Sequence, residues 1–284
     1  MTYKTMLVHI DDSRHSDARV AFALDLALKH NMHVIGLYVV CQDTFRPLLK
    51  RDDGLSLAKL EAQAATRMNS ARERFTAAAE RAGCPFDWHA PEGSAVDATV
   101  LHARHADIIV LGQQDPDDQG SFIARDFVED IVMNSGRPIV VLPYAGHMPS
   151  FGGNVVVAWD GSREAARALA DALPILKRAR FVTVAIVEKH PDREEPAGFD
   201  AAGYLERHGI RAGFASIPRI SGVSTGATLL NHLTDVHADL LVMGAYGHAR
   251  AMEHVLGGVT RALLETMTVP VLMSHWFRSR SKPR

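Results

Sequence analysis

Cysteine is nearly absent: Cys41 and Cys84 are the only two among 284 residues, and both fall in the first half. Two thiols make no disulfide framework, and such usage suits a reducing compartment. No apolar run approaches the ~20 residues a membrane helix needs, so no membrane partner is expected. The opening Met1–Ser13 (MTYKTMLVHIDDS) lacks the apolar core of a secretory signal and carries Asp11 and Asp12. Nor is there an excess of charge of one sign. The chain has 31 Lys and Arg against 33 Asp and Glu, a net charge of −2, so no broad polyanion-binding surface and no nucleic-acid partner are expected. These absences make the cytoplasm the expected location. The basic tail Arg278–Arg284 (RSRSKPR) reads as a solvated end.

What is present is ordinary for a globular protein: 47% hydrophobic and 23% charged residues. The length allows one or two domains, and an internal repeat decides for two. Thr5–Val40 lies over Asn154–Lys189 without a gap, so that Asp11 meets Asp160, Ser13 meets Ser162 and Arg14 meets Arg163. Further on, Ala106–Gly112 (ADIIVLG) meets Ala238–Gly244 (ADLLVMG), and Pro138 meets Pro270 in the same register. The repeats are expected at 1–147 and 151–279, joined by the Gly- and Pro-containing Tyr144–Asn154 (YAGHMPSFGGN). The first repeat has a longer middle. There Leu57, Leu60, Ala64, Met68, Ala71, Phe75 and Ala78 follow a helical period, and Gly83 stands where the helix would end.

Within each repeat, short β-branched runs alternate with amphipathic helices. The runs are Met6–Ile10, Val34–Val40, Ile108–Leu111 and Ile139–Leu142, then Val155–Ala158, Phe181–Val187, Leu240–Met243 and Val271–Met273. A further strand near Phe86–His89 and near Arg211–Ile217 brings each repeat to five. Such alternation predicts an α/β class fold with a parallel sheet covered by helices on both faces.

The segment richest in possible chemistry is Met243–Thr260 (MGAYGHARAMEHVLGGVT). It carries Gly244, then two residues, Gly247, then nine residues, then Gly257, Gly258, Val259 and Thr260. Glycine lets backbone N–H groups approach an anion closely, and a helix N-terminus adds unsatisfied donors and partial positive charge. The same glycines would also serve as ordinary strand exits and helix caps.

The pattern resembles the ATP-binding motif of the universal stress protein family. Val157–Ser162 (VAWDGS) is similar to that family's opening strand and turn, and Pro270-Val271-Leu272 to its closing strand. The resemblance spans nearly the whole chain, twice. It implies two tandem Rossmann-like domains, each with strand order 3-2-1-4-5, and pairing of the last strands of the two copies across a pseudo-twofold as an intramolecular pseudo-dimer. A homodimer of such chains is left open. Carried over residue by residue, the resemblance implies that Asp160 accepts from an adenine amino group and that Ile186 packs near the base. Met243, Gly244, Gly247 and His248 would border the ribose and phosphates. Gly257, Gly258, Val259 and Thr260 would hold phosphate through backbone N–H groups and the Thr260 hydroxyl. ATP is the implied ligand, with Mg²⁺ held through its phosphates.

Two departures bear on this. Gly258 stands where the family has Ser or Thr, removing a hydroxyl donor, so weakened binding is expected. In the first repeat Asp115 replaces the second glycine, and Arg125-Asp126-Phe127-Val128 replaces Gly257–Thr260. Carboxylates there would repel phosphate, so the first repeat is expected to be structural or regulatory.

Competing patterns are short. Gly222-Val223-Ser224-Thr225-Gly226 matches a hydrolase nucleophile elbow, with His237, His248 or His254 as the base, but only 60 residues follow Ser224, too few for the rest of that fold. His102 with His105, and His232 with His237, lack the Cys or acidic partners of a zinc site. Asp11-Asp12 could be read as an acid/base pair, yet the second repeat keeps Asp160 and puts Gly161 beside it. Cys41 and Cys84 have no neighbours that would activate a thiol. The expected function is a cytoplasmic stress-response protein that binds ATP in its second repeat as a ligand. No enzymatic role is expected, with slow ATP hydrolysis left open. The alternative is an interaction module of the same family without ATP.

Overall fold

The computed structural model describes residues 2–40, 54–118, 124, 126–145, 148, 150–188, 199–247 and 258–276. By compactness the chain divides into Thr2–Ile131 and Val132–Arg284.

In the first unit, β1 (Thr5–Ile10), β2 (His33–Tyr38), β3 (Phe86–His89) and β4 (Ile108–Gly112) form a parallel sheet in the order β3-β2-β1-β4. Apart from Thr5, His9 and Gly112, β1 and β4 consist of Met, Leu, Val and Ile whose side chains are almost wholly buried, as strands covered on both faces must be. Helices α1 (Ser16–His30), α2 (Gly54–Ala82) and α3 (Ala95–Ala103) accompany them, and α4 (Phe127–Asn134) begins at the unit's end. α2 is the predicted helix of the longer middle. It buries Ala71, Phe75 and Ala79 at helical spacing. Phe75 presses on β2 where Gly36 leaves room, since a Cβ there would lie 2.6 Å from the ring. Gly83 ends α2 at φ +66°, the left-handed position that glycine tolerates.

In the second unit, β5 (Ile139–Leu142), β6 (Asn154–Ala158), β7 (Phe181–Val187), β8 (Gly213–Ile217), β9 (Leu240–Gly244) and β10 (Val271–Ser274) are ordered β5-β10-β9-β6-β7-β8. Every pair is parallel except β5 with β10, which runs antiparallel with Leu272 opposite Val140. Within β6–β10 this is the 3-2-1-4-5 order. The helices are α5 (Arg163–Leu176), α6 (Phe199–Arg207), α7 (Thr225–Asp235) and α8 (Gly258–Thr266). β5 comes from the first repeat's sequence, and its ladder to β10 draws the boundary between units back from the Gly-rich join to Val132.

The repeat is visible in small devices. Asp107 accepts from the backbone N–H groups of Lys4 and Thr5 at 2.7 and 3.0 Å, and Asp239 accepts from those of Gly153 and Asn154 at 3.0 and 2.9 Å. Each carboxylate thus satisfies the start of its repeat's first strand, β1 or β6. Ser94 caps α3 through the Asp97 N–H, and Ser224 caps α7 through the Ala227 N–H.

Candidate functional site

In the second unit the chain leaves β6 toward β7 on one side and returns to β9 on the other. That reversal opens a crevice beyond the carboxyl ends of β6 and β9, where open α/β sheets take ligands. A cavity of about 220 Å³ lies there. Ala158, Trp159 and Asp160 line it from the end of β6, and Ala185 and Val187 from β7. Met243, Gly244, Tyr246 and Gly247 follow from β9, Thr225 and Leu229 from α7, and Gly258, Val259 and Thr260 from the start of α8.

Seven of the residues singled out in sequence therefore meet at one cavity: Asp160, Met243, Gly244, Gly247, Gly258, Val259 and Thr260. Ile186 does not line it. Strand residues alternate between faces, so Ala185 and Val187 point in where Ile186 was expected. His248 and Gly257 lie outside the described residues. Trp159 and Tyr246 were missed in sequence. Trp159 is half-buried beside Asp160 and offers a flat ring. Tyr246 is buried at φ +59°, a left-handed conformation costly for a bulky residue. Its N–H donates to the Thr260 Oγ1 at 3.3 Å, which fixes the turn after β9 to the first turn of α8.

The glycines have distinct causes. A Cβ on Gly244 would run into the backbone of Glu164 and Ala165, so Gly244 lets β9 meet the start of α5. A Cβ on Gly247 would lie 3.0 Å from the Glu164 Oε2. Nothing lies within 4 Å of a Cβ on Gly258. Asp160 is exposed. Its Oδ1 accepts from the Ser162 N–H at 3.0 Å, while the Ser162 Oγ caps α5 through the Ala165 N–H at 3.1 Å. The first residues of α8 bring N–H groups that have no acceptor within the helix. Among the described residues lining the cavity, Asp160 is the charged one.

The same positions in the first unit are filled. His9 stands for Ala158, Tyr38 for Val187, Phe127 for Val259, Arg19 for Ala168 and Asp115 for Gly247. His9 and Phe127 are buried with ring centroids 4.9 Å apart. Arg19, also buried, donates from Nη2 to the Asp11 Oδ1 at 2.7 Å and from Nε to the His9 carbonyl at 2.7 Å. The Ser13 hydroxyl donates to the same Asp11 oxygen at 2.6 Å. Burial alone would raise the Asp11 carboxyl, but the Arg19 charge and hydrogen bonds from Arg19 and Ser13 more than offset it and hold it below the usual range. Burial drives His9 down to about 4, so its ring is neutral, with Nε2–H donating to the Val39 carbonyl at 3.1 Å. Asp11, the counterpart of Asp160, is thus consumed by its own chain.

The competing patterns take structural roles. Ser224 has an ordinary extended backbone, φ −67° and ψ 151°, and its Oγ accepts from Ala227 N–H as the cap of α7; a nucleophile elbow is strained. His254, like His248, is outside the described residues. Asp12 accepts from the Tyr38 hydroxyl at 3.0 Å and the Arg67 Nε at 2.9 Å, and it shares no proton with Asp11. His102 donates from Nδ1 to the Ala98 carbonyl at 2.9 Å and packs on His89 at 5.1 Å between centroids. Among the described residues no group of three or more His, Cys, Asp or Glu could hold a metal. Cys84 is buried, which pushes its thiol upward, and Cys41 is outside the described residues.

A family model described as the universal stress protein family matches residues 2–143 and 153–275, most of the chain. The chain belongs to the universal stress protein family. A curated relative, universal stress protein Slr1230 of Synechocystis sp., is 26% identical over 169 residues, 58% of this chain and 57% of that one. The chain thus spans a little over half the length of that relative. A universal stress protein from Archaeoglobus fulgidus DSM 4304 superposes with a TM-score of 0.70 at 18% identity, covering 95% of this chain and 98% of that one. A functionally unknown protein from Pseudomonas aeruginosa PAO1 does so with a TM-score of 0.57 at 15% identity, covering 96% and 92%. These identities speak to fold, and they agree with two Rossmann-like universal stress domains in tandem. No described helix of this universal stress protein is long and apolar enough to cross a membrane.

Proposed function

We propose that this universal stress protein binds ATP in the cavity of its second repeat and that its first repeat serves as a structural or regulatory partner. The observation carrying this reading is the convergence of Asp160, Gly244, Gly247 and the N-terminus of α8 on one cavity at the switch between β6 and β9. Asp160 is exposed and positioned to accept from an adenine amino group, with Trp159, Val187 and Met243 as apolar walls. The N–H groups of Gly258, Val259 and Thr260 would hold phosphate, with Mg²⁺ bound through the phosphates themselves. ATP acts here as a ligand that favours one state of the protein, not as a rapidly turned-over substrate.

The domain limits we assign are 1–147 and 151–279. The antiparallel β5–β10 ladder supports an intramolecular pseudo-dimer of the two repeats. A cytoplasmic location belongs to the same reading, in keeping with a chain of only two cysteines.

A second reading, an interaction module without ATP, is favoured by Gly258, which supplies no hydroxyl, and by a cavity smaller than the ~300–1,000 Å³ common for ligand sites. Isothermal titration of Mg-ATP into the nucleotide-stripped full chain, beside Asp160→Ala, separates the two. The expected result is one site per chain, weakened at least about tenfold by the substitution. Absence of heat and of thermal shift at millimolar ATP would overturn the ATP reading in favour of the module.

A further inference from the structure

The first repeat lacks the glycine cradle, and it gathers N–H donors around a carboxylate of its own. Arg14 and His15 lie at the start of α1, and the loop after β4 brings Asp115 between them. Its Oδ2 receives the Arg14 Nη2 at 2.5 Å, the Arg14 Nε at 3.0 Å and the His15 Nε2 at 2.8 Å. Its Oδ1 accepts from the Asp117 N–H at 3.0 Å. The carboxylate is almost wholly buried, with 2% of its side chain exposed, while Arg14 remains 60% and His15 30% exposed. Next to it, the Arg14 backbone N–H donates to Asp118 at 2.8 Å.

The second repeat shows what this arrangement replaces. Gly247 takes the place of Asp115, Arg163 that of Arg14, and Glu164 that of His15. There the buried carboxylate comes from the helix and the loop contributes a glycine, whereas in the first repeat Arg14 and His15 lead into the helix and the carboxylate comes from the loop. Three N–H donors converging on a single oxygen, two from a guanidinium, form the kind of charge-assisted set that recognises a phosphate oxygen as readily as a carboxylate.

We propose that Arg14 and His15 form an anion-binding site whose resident occupant is the Asp115 carboxylate, and that this site takes inorganic phosphate or a phosphate monoester once that carboxylate is removed. The first repeat is then ligated by its own chain. Hydrogen bonding from His15 and Arg14 overcomes burial to hold the Asp115 carboxyl down at about 2, so the occupant is ionised at any physiological pH. In the wild-type chain an external phosphate competes with a carboxylate that the fold already holds in place, so the wild-type site stays closed to it.

The test uses the full chain and inorganic phosphate at constant ionic strength, followed by ³¹P line broadening and thermal shift. Asp115→Gly, which installs the second repeat's residue, should bind phosphate at least about tenfold more tightly than wild type. Adding Arg14→Gln to that variant should abolish the gain. Asp115→Asn, close in shape, repeats the comparison should the glycine variant not fold. A third arm leaves Asp115 in place: Arg14→Gln with His15→Gln should raise the Asp115 pKa from about 2 toward the usual carboxylate range, read by NMR titration. Equal phosphate binding by wild type and the Asp115 variants, a gain that survives Arg14→Gln, or an Asp115 pKa unmoved by loss of both partners would each overturn the proposal.

Discussion

Arg19 and Asp11 form an ion pair of 2.7 Å in which each side chain is only 4% exposed. No such pair exists at the matching positions of the second repeat, Ala168 and Asp160. The pair converts a strand-end aspartate from an exposed acceptor into part of the core. Removing Arg19 alone leaves a buried carboxylate without its cation, which costs ~3–5 kcal/mol. Arg19→Ala should therefore lower the stability of the first unit by about that amount in urea unfolding. Asp11→Asn added to it should restore part of the loss. A cost below ~1 kcal/mol for the single substitution would mean that solvent reaches Asp11.

Acid should destabilise the first unit before its carboxylates titrate. His9 is neutral in the fold, with its pKa at about 4, while the unfolded chain takes up a proton at the ordinary value of 6.5. The unfolded state thus binds more protons between those values. The stability associated with neutral His9 is fully present above 6.5 and is lost as pH falls toward 4, on the order of 3 kcal/mol in all. Asp11, held below its usual value, adds a loss in the same direction at lower pH. His9→Asn should flatten the unfolding free energy between pH 6.5 and 4. An unchanged slope in that variant would assign the acid sensitivity to other groups.

Phe127 fills the first unit's crevice, and its counterpart Val259 lines the open cavity of the second. Val259→Phe should carry that closure across. We expect loss of Mg-ATP binding in calorimetry, with stability changed by less than ~1 kcal/mol because Val259 is only half-buried. Retained affinity would place the ligand elsewhere than in this cavity.

The architecture was legible because short apolar runs alternate with helical periods and because the repeat supplied each signal twice. Aligning Asp11 with Asp160 aligned the first two strands of each repeat, a second register through Gly112 with Gly244 and Pro138 with Pro270 aligned the last two, and the structure repeats even the Asp107 and Asp239 clamps. The face of a strand was less legible. Phe181–Val187 is apolar on nearly every residue, so sequence offered no phase by which to choose Val187 over Ile186. Arg19 was hidden for another reason: a single arginine in an amphipathic helix reads as surface, and only the fold brings it over Asp11. The glycine cluster was visible, but its causes were mixed. Gly244 answers to the backbone of α5, and Gly247 to Glu164, whatever binds beyond them.

That mixture can be separated by substitution. Gly244→Ala should cost ~1–3 kcal/mol, since its methyl would meet backbone that cannot give way. Gly247→Ala should cost less, because the Glu164 side chain can shift by a few tenths of an ångström. Comparable losses at both sites would show that Glu164 is as rigid as the backbone.

Gly258 offers the converse experiment. Nothing lies within 4 Å of a Cβ there, its φ is not left-handed, and it opens α8. Gly258→Ser therefore introduces the hydroxyl that the family motif carries without a steric conflict. Replacing glycine in the first turn of a helix also restricts the unfolded chain, which contributes ~0.4–1 kcal/mol of stability. A hydroxyl donating to a charged phosphate oxygen contributes ~1.5–3 kcal/mol, so Mg-ATP affinity should rise by about tenfold or more. The two effects are read separately, the first in the ligand-free protein and the second by calorimetry. A stability gain without an affinity gain would mean that no phosphate reaches the start of α8, and it would favour the interaction-module reading over ATP binding.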